Sequence, residues 1–324
     1  MDRRQFITNA AAVAAAAPVA SVGVAQAQTS WPDKPVRVVL PYAPGGATDA
    51  IGRPWADELS KALGQQFVIE NRGGAAGQIG VEAVVKANPD GYTFLMSPNA
   101  PMSVLPVLKK VPYDPVKNLV AGARTGDVLC GFVIHPSLGI KTLKELVDYA
   151  KKNPGKVIYG SSGNGAANHL RLEALKLKAG IDILHVPYRG GGESLADFLA
   201  GVHQIHADPN TMPHIAAGKA NLLAVLDRKR HPDYPSTPLL KEILPDIDFV
   251  LWFGVVAPPG TPPEIVKKFS EAIAKISKDA DLEPILRKAA LAPHGSTPEA
   301  MLELTKKDHA RFGDLIRRLN IKAE

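Results

Sequence analysis

The stretch Val36-Arg-Val-Val-Leu40, followed by Tyr42-Ala-Pro-Gly-Gly-Ala-Thr-Asp49, decides how this chain folds. Its first part is a short apolar run rich in β-branched residues, which predicts a buried strand. Residues 50–63 then repeat apolar side chains at helical spacing. The sequence therefore predicts a strand, a tight turn at Pro44-Gly-Gly46 and a helix.

This turn is a candidate carboxylate site, although an ordinary strand-to-helix connection explains the same residues. Its two glycines let backbone N–H groups approach a ligand closely. Thr48 or Asp49 is expected to cap the helix, whose positive dipole end attracts anions. No Gly-Lys-Ser/Thr and no G-x-G-x-x-G is present, which excludes a P-loop and a dinucleotide fingerprint. The candidate contacts are Tyr42, Pro44, Gly45, Gly46, Thr48 and Asp49.

Composition is typical of a soluble globular protein with one large or two medium domains, since 45% of the 324 residues are apolar and 22% charged. The net charge of +6 is scattered, and no basic stripe with aromatic residues predicts nucleic-acid binding. No residue spacing is typical of a metal site, so we expect neither a metal nor a cofactor. The single cysteine, Cys130, lies in an apolar run and is predicted to be a buried structural thiol.

The first 27 residues are typical of an export signal. Arg3-Arg4 precedes an alanine-rich run, residues 10–17, and Ala25-Gln-Ala27 fits a cleavage site. We predict a periplasmic protein whose signal is removed after Ala27. The twin-arginine and general export routes both remain open, and a folded N-terminal helix is the alternative.

From Trp31 onward, predicted strands and helices alternate. Such alternation is typical of a mainly parallel sheet, with ligands beyond the carboxyl ends of the strands. Ser97 and Asn99 follow the predicted strand 92–96 and are candidate ligand contacts for that reason. A further strand is predicted at residues 128–135.

A second glycine-rich loop, Tyr159-Gly-Ser-Ser-Gly-Asn-Gly165, repeats the pattern of the first. Its hydroxyl and backbone donors suit a carboxylate. Neither serine fits the Gly-x-Ser-x-Gly of a nucleophile elbow, so no catalytic residue is predicted. His169 could be a base, a ligand donor or a packed histidine. The candidate contacts are Ser161, Ser162, Gly163, Asn164, Ala166, Asn168 and His169.

Two further candidates end predicted apolar stretches. Tyr188 could line a pocket with its ring and donate its hydroxyl. Asp208 could cap or orient a neighbouring loop, or bind an amine of the ligand.

Together these motifs resemble the Bug family, the solute receptors of tripartite tricarboxylate transporters. The resemblance covers nearly the whole mature chain in the family's order. The matching stretches include Pro44-Gly-Gly-Ala-Thr-Asp49, Glu70-Asn-Arg-Gly-Gly-Ala-Ala-Gly-Gln-Ile-Gly80, Tyr159-Gly-Ser-Ser-Gly-Asn-Gly165, Val186-Pro-Tyr-Arg-Gly190 and Trp252-Phe-Gly-Val-Val-Ala-Pro-Pro-Gly-Thr-Pro262.

The resemblance implies an α/β protein of the type II periplasmic-binding-protein fold, with a ligand cleft between two α/β lobes. Lobe 1 is expected to comprise residues 28–127 and 255–324, and lobe 2 residues 128–254. The expected ligand is a small organic carboxylate: a di- or tricarboxylate, an amino acid or an aromatic acid. The expected partners are the membrane subunits of a tripartite tricarboxylate-type transporter. We expect a monomer and no enzymatic activity.

Two other functions remain open from the sequence. An exported hydrolase could use Ser161 or Ser162 with His169, and a ligand-presenting protein could act on a sensor. The chain also departs from many relatives, which carry Ser or Thr at the position of Ala166 and Pro near that of Asn168. In Val202-His-Gln-Ile-His-Ala-Asp208, two histidines either favour an extra carboxylate or lie on the surface.

Overall fold

The computed structural model describes residues 31–227, 229–245, 251–318 and 320. The predicted export signal lies outside these residues. Within them the chain forms two β-sheets with helices packed against both. The strands are β1 (Val36–Leu40), β2 (Phe67–Asn71), β3 (Thr93–Pro98), β4 (Val120–Val128), β5 (Gly131–Ile134), β6 (Ile158–Ser161), β7 (Leu184–Pro187), β8 (Ile205–His206), β9 (Asn221–Val225), β10 (Trp252–Ala257) and β11 (Leu291–Pro293).

The helices connect these strands and cover the sheets. They are α1 (Ala47–Leu63), α2 (Gln78–Val85), α3 (Ala100–Ser103), α4 (Leu105–Leu108), α5 (Leu143–Lys152), α6 (Ala167–Ala179), α7 (Gly191–Leu199), α8 (Met212–Ile215), α9 (Leu240–Ile243), α10 (Pro263–Ile276), α11 (Leu282–Lys288) and α12 (Pro298–Arg318). Short 3₁₀ turns lie at Ala75–Gly77, Pro136–Leu138 and Pro209–Thr211. No helix in the described part of the chain is long and apolar enough to span a membrane.

The two sheets have six and five strands. Their strand orders are β11-β4-β10-β3-β1-β2 and β7-β6-β8-β5-β9. The chain passes from the first sheet to the second between Val128 and Gly131, and returns between Val225 and Trp252. Both sheets therefore take strands from separate parts of the sequence. The lobe boundaries at 127/128 and 254/255 stay predictions.

The prediction of mainly parallel sheets was wrong. β1 pairs in parallel with β2 and β3, and β6 with β7 and β8. The remaining pairs, which involve β4, β5, β10 and β11, are antiparallel. The strand predicted at residues 128–135 is also divided, because β4 ends at Val128 in one sheet and β5 begins at Gly131 in the other.

The core of the six-stranded sheet forms around stacked aromatic rings. Phe94 and Phe269 stack at 4.4 Å between ring centroids, and Trp31 packs edge-on against Phe94. On α1, Trp55 and Leu59 are fully buried, as their helical spacing predicts. Burying large apolar side chains such as these contributes about 1.5–3 kcal/mol each, which fixes α1 on the sheet.

The start of α5 is a capping box. Thr142 is the N-cap, its hydroxyl accepts from the Glu145 backbone N–H at 3.1 Å, and the Glu145 carboxylate accepts from the Thr142 backbone N–H. This capping box satisfies two backbone donors that would otherwise lack helical partners. The sequence pattern alone carries this information because all of its parts lie within four residues.

Candidate functional site

A cavity of about 60 Å³ lies between the two sheets and is lined by residues from both. A space of this size holds a few water molecules or a small solute. Much of its wall is apolar. The lining residues are Tyr42, Gly46, Ala47, Thr48, Ile51, Pro98, Val128, Ser162, Ala166, Ala167, Asn168, Arg171, Gly191, Asp208, Pro209, Leu251 and Phe253.

The N-terminus of α1 forms one side of this cavity. Its N-cap is Gly46, and no side chain caps the helix. The prediction that Thr48 or Asp49 is the cap was therefore wrong, since both lie inside the first turn. Gly45 has a φ of +82°, a conformation that glycine adopts without strain, and this turn brings the backbone to the cavity.

Asp49 does not line the cavity, and its hydrogen bonds hold the loop in place. Its carboxylate accepts hydrogen bonds from Arg53 at 2.9 Å and Asn71 at 3.0 Å. Burial alone would raise the pKa of Asp49, but these bonds and one from the Gly45 N–H hold it below its usual value. The same Asn71 amide donates to the Tyr42 carbonyl, so Asp49 stabilises the loop that precedes α1.

The N-terminus of α6 forms a second side. Its N-cap is Ala166, again with no side-chain cap. The predicted glycine-rich loop precedes it, and Gly163 (φ +114°) and Gly165 (φ +84°) make its turns. Ala166, Ala167 and Asn168 line the cavity from this helix end.

The N-terminus of α7 completes the arrangement. Its N-cap is Gly190, and no side chain caps this helix either. A Cβ added at Gly46 would lie 3.5 Å from the Gly192 nitrogen and 3.7 Å from the Gly191 nitrogen. The N-termini of α1 and α7 therefore face each other at close range. Three helix N-termini, each without a side-chain cap, therefore converge on one cavity.

Asp208 connects the loop before α6 to the 3₁₀ turn at Pro209–Thr211. Its Oδ2 accepts from the Ser162 hydroxyl at 3.2 Å and from the Asn168 amide at 3.1 Å. Its Oδ1 accepts from the Asn210 backbone N–H, which confirms the predicted role in orienting a neighbouring loop. Burial raises the pKa of Asp208, while the Asn210 N–H, Arg171 and Ser162 act in the opposite direction.

Arg171 is a buried cation in the wall of the cavity, with a relative exposure of 3%. Its Nη1 donates to the Ala207 carbonyl at 2.6 Å and to the Cys130 sulfur at 3.1 Å. Cys130 is buried, as predicted, and burial raises the pKa of its thiol to about 11. Sequence reasoning missed Arg171. Its signal is a charged residue flanked by Leu170 and Leu172 in an apolar stretch of the helix.

Of the predicted contacts, seven line the cavity: Tyr42, Gly46, Thr48, Ser162, Ala166, Asn168 and Asp208. Tyr42 is buried, and its hydroxyl donates to the Ala76 carbonyl at 3.2 Å. Burial, with the nearby Asp208 charge, raises the pKa of Tyr42. The other predicted contacts lie outside this lining: Pro44, Gly45, Asp49, Ser97, Asn99, Ser161, Gly163, Asn164, His169 and Tyr188.

Several of these outlying residues have structural partners instead. Ser97 belongs to β3, and its hydroxyl donates to the Pro98 carbonyl. The Asn99 amide donates to Asp308 of α12 at 3.2 Å. The Tyr188 hydroxyl donates to Asp197 of α7 at 2.7 Å. Their neighbours come from distant parts of the chain, which local sequence patterns do not identify.

Ser161 and His169 belong to a packed cluster next to the cavity. The Ser161 hydroxyl lies 2.6 Å from Nε2 of His185, whose ring stacks between Tyr159 and His169. Burial, together with His169 and Lys176, lowers the pKa of His185 to about 3. The His169 ring accepts from the Gly165 N–H at 3.1 Å, so this histidine fixes the turn before α6.

His203 and His206 do not lie on the surface. Both are fully buried, and their rings contact Ser194 of α7. Burial lowers the pKa of both rings. They pack α7 against β8 outside the lining of the cavity. Across the described ranges, no group of His, Cys, Asp or Glu side chains is arranged to hold a metal ion.

The family described as TctC, tripartite tricarboxylate transporter family receptor, matches residues 51–321. The chain belongs to this family. The resemblance to solute receptors expected from the motifs is thereby confirmed. Members of this family are periplasmic solute receptors.

Similar proteins agree with the family assignment. A Cupriavidus necator protein named UPF0065 protein in gbd 5'region is 38% identical over 297 residues, which cover 91% of this chain and 90% of that protein. The solved structure of periplasmic binding protein BugD has a TM-score of 0.86 and 30% identity, and covers 91% of this chain and 100% of that one. The structure of Rhodopseudomonas palustris Rpa4515 with adipate has a TM-score of 0.86 and 31% identity, and the match covers 90% of this chain and 99% of that one. The two-sheet α/β architecture is therefore a periplasmic-binding-protein fold.

Proposed function

We propose that this protein is a periplasmic receptor that binds a small organic carboxylate in the cavity between the two sheets. It then delivers that ligand to the membrane subunits of a tripartite tricarboxylate-type transporter. One observation carries the proposal: the N-termini of α1, α6 and α7, each without a side-chain cap, converge on one cavity. Backbone N–H groups and the positive ends of helix dipoles bind anions.

The remaining wall supports a carbon-containing acid rather than a bare inorganic anion. Ile51, Val128 and Phe253 present apolar surface beside the helix ends. Such a mixture of apolar wall and few directed donors is typical of small-molecule sites. The adipate in the R. palustris neighbour is a ligand of this chemical kind. We infer that the carboxylate contacts the helix ends and the carbon chain contacts the apolar wall.

The proposal assigns no catalytic residue. Ser162, the serine that lines the cavity, donates to Asp208 and accepts from Asn168 rather than contacting a histidine. Ser161 contacts His185, but it is fully buried and does not line the cavity. A hydrolase needs a nucleophile and base that both reach the substrate. A binding protein requires only the donors already described.

The proposal includes export and the division into lobes. Residues 1–27 would be removed, and residues 28–127 with 255–324 would form one lobe and residues 128–254 the other. Ligand binding would hold the two lobes together, because residues of both line the cavity. The receptor would act as a monomer. Closure of this kind excludes water from the bound acid, which strengthens charge-assisted hydrogen bonds.

A thermal-shift screen of residues 28–324 tests the proposal. The protein would be refolded free of bound solute and mixed with carboxylates of graded length, charge and aromaticity. A ligand at a hundred times its Kd stabilises a protein by about 2.7 kcal/mol, which shifts Tm by about 4–5 °C for a chain of this size. A shift with one class of acid supports the proposal. No shift with any acid, for a folded protein, contradicts it.

A further inference from the structure

Arg171 adds a second source of positive charge to the cavity, separate from the helix ends. It lies one turn beyond Ala167 on α6 and lines the cavity while 97% of its surface is buried. The two acceptors of its Nη1, the Ala207 carbonyl and the Cys130 thiol, are both uncharged at neutral pH. Its Nε is buried and has no hydrogen-bond partner among the residues that the structure describes.

The protein residues described here give Arg171 no direct counterion. Within the ranges 31–227, 229–245 and 251–318, no carboxylate oxygen lies within 4.0 Å of its guanidinium nitrogens. Asp208 influences Arg171 through space, but its oxygens accept from Ser162, Asn168 and Asn210. A buried charge without a paired, hydrogen-bonded partner is costly.

A ligand acid supplies the partner that this arrangement lacks. The guanidinium group is planar, and its N–H donors match the two oxygens of a carboxylate. The buried Nε has no acceptor in the described part of the chain, so a small shift of the side chain would bring it to such a group without breaking an existing hydrogen bond. The helix ends hold one acidic group under the proposed function, and Arg171 is available for another.

We propose that Arg171 is the specificity-determining residue of this cavity, which binds a second acidic group of the ligand and selects diacids over monoacids of equal length. This inference rests on the proposed function, because it assigns the first acidic group to the helix ends. Under this proposal, Arg171 alone distinguishes a ligand with two acidic groups from a ligand with one. The helix ends and the apolar wall do not make that distinction.

The test compares succinate, glutarate and adipate with butanoate, pentanoate and hexanoate by isothermal titration of residues 28–324. We expect the wild type to bind at least one diacid more tightly than its monoacid. In Arg171→Gln the diacid affinity should fall by about 30-fold or more, as expected when one partner of a buried charge pair is removed. Monoacid affinity should change by less than about threefold, since no charge pair is lost.

Two further variants separate this role from a structural one. Lys176→Gln removes a positive charge from the same helix at a position outside the cavity, and should leave both affinities unchanged. Arg171→Lys keeps the positive charge but loses the paired, planar N–H donors of the guanidinium group, so it should retain part of the diacid preference. If Arg171→Gln does not fold, Arg171→Lys decides, and an unchanged ratio of diacid to monoacid affinity in it overturns the inference.

The outcomes also separate this inference from the proposed function. If the wild type binds no acid at all, the proposed function fails and this inference fails with it. If the wild type binds acids but Arg171→Gln keeps the wild-type preference, this inference alone is wrong. A wild type that prefers monoacids overturns it as well.

Discussion

The Ser162 hydroxyl donates to Oδ2 of Asp208 across 3.2 Å, and this bond ties the loop before α6 to the 3₁₀ turn at Pro209–Thr211. The Asn168 amide donates to the same oxygen at 3.1 Å. One buried carboxylate thus fixes two segments that both line the cavity. Its removal tests how far the cavity depends on a preformed polar network.

Asp208→Ala should destabilise the protein, because it leaves the donors of Ser162, Asn168 and Asn210 without their acceptor. We expect the free energy of unfolding to fall by about 1–3 kcal/mol, the usual cost of unsatisfied buried groups. Urea denaturation should show a lower midpoint with an unchanged m value. Asp233→Ala is the control, since Asp233 is exposed and 3.8 Å from Arg287. Equal effects of the two substitutions would contradict the prediction.

Gly46→Ala should weaken binding while leaving the fold intact. Its φ of −89° is open to alanine, and the new methyl group would meet the Gly192 nitrogen at an ordinary contact distance of 3.5 Å. The free energy of unfolding should stay within about 1 kcal/mol of wild type. The methyl group would lie between the N-termini of α1 and α7, so affinity for a carboxylate should fall by about tenfold or more.

Gly218→Ala gives the matched control for that substitution. Gly218 has a φ of +68° and open space around its Cβ position. Alanine there should cost about 1 kcal/mol through backbone strain and leave affinity unchanged. Wild-type affinity in Gly46→Ala would argue that the anion does not bind between these helix ends.

Gly160→Ala should destabilise the protein through a steric clash. An added Cβ would lie 2.4 Å from both Nε2 of His203 and Oγ of Ser194, two buried groups. Overpacking of this kind costs about 1–3 kcal/mol. Thermal unfolding should therefore show a clear loss in Gly160→Ala and little change in Gly46→Ala. Equal stability of the two variants would show that the cluster of His203 and Ser194 gives way easily.

His185 should contribute to the loss of stability at acidic pH. Burial lowers its pKa from 6.5 to about 3, so below pH 6.5 the unfolded chain binds a proton that the folded protein does not. The free energy of unfolding therefore falls as pH decreases from 6.5 towards 3. His185→Gln should reduce the slope of stability against pH by about one proton near pH 4.5. Urea denaturation of both proteins between pH 7 and 4 measures this slope. An unchanged slope in His185→Gln would contradict the lowered pKa of His185.

Local sequence patterns predicted the elements that are determined by residues close together in the chain. The run Val36–Leu40 and the turn at Gly45 follow this rule, and so do the seven predicted residues that line the cavity. β4 was missed because Val120–Val128 is rich in glycine and charge. It is a strand because β10 and β11 pair with it on both sides.

The missed parts of the site depend on contacts between distant residues. Arg171 is buried only because Cys130 and Ala207 supply acceptors 41 and 36 residues away. Gly191 faces Gly46 only because the two sheets come together. An arginine on a helix and a glycine at a helix start are unremarkable in sequence, so their role follows from tertiary structure.

The most direct test of the central claim is isothermal titration of solute-free residues 28–324 with a matched acid and amide. The acid is the carboxylate that gives the largest shift in the thermal screen. In the matched amide, an uncharged carboxamide replaces the carboxylate that is proposed to bind at the helix ends. We predict that the acid binds at least about a hundredfold more tightly, equivalent to about 2.7 kcal/mol. Equal affinities would show that the convergent N-termini of α1, α6 and α7 do not bind an anion, and would contradict the account.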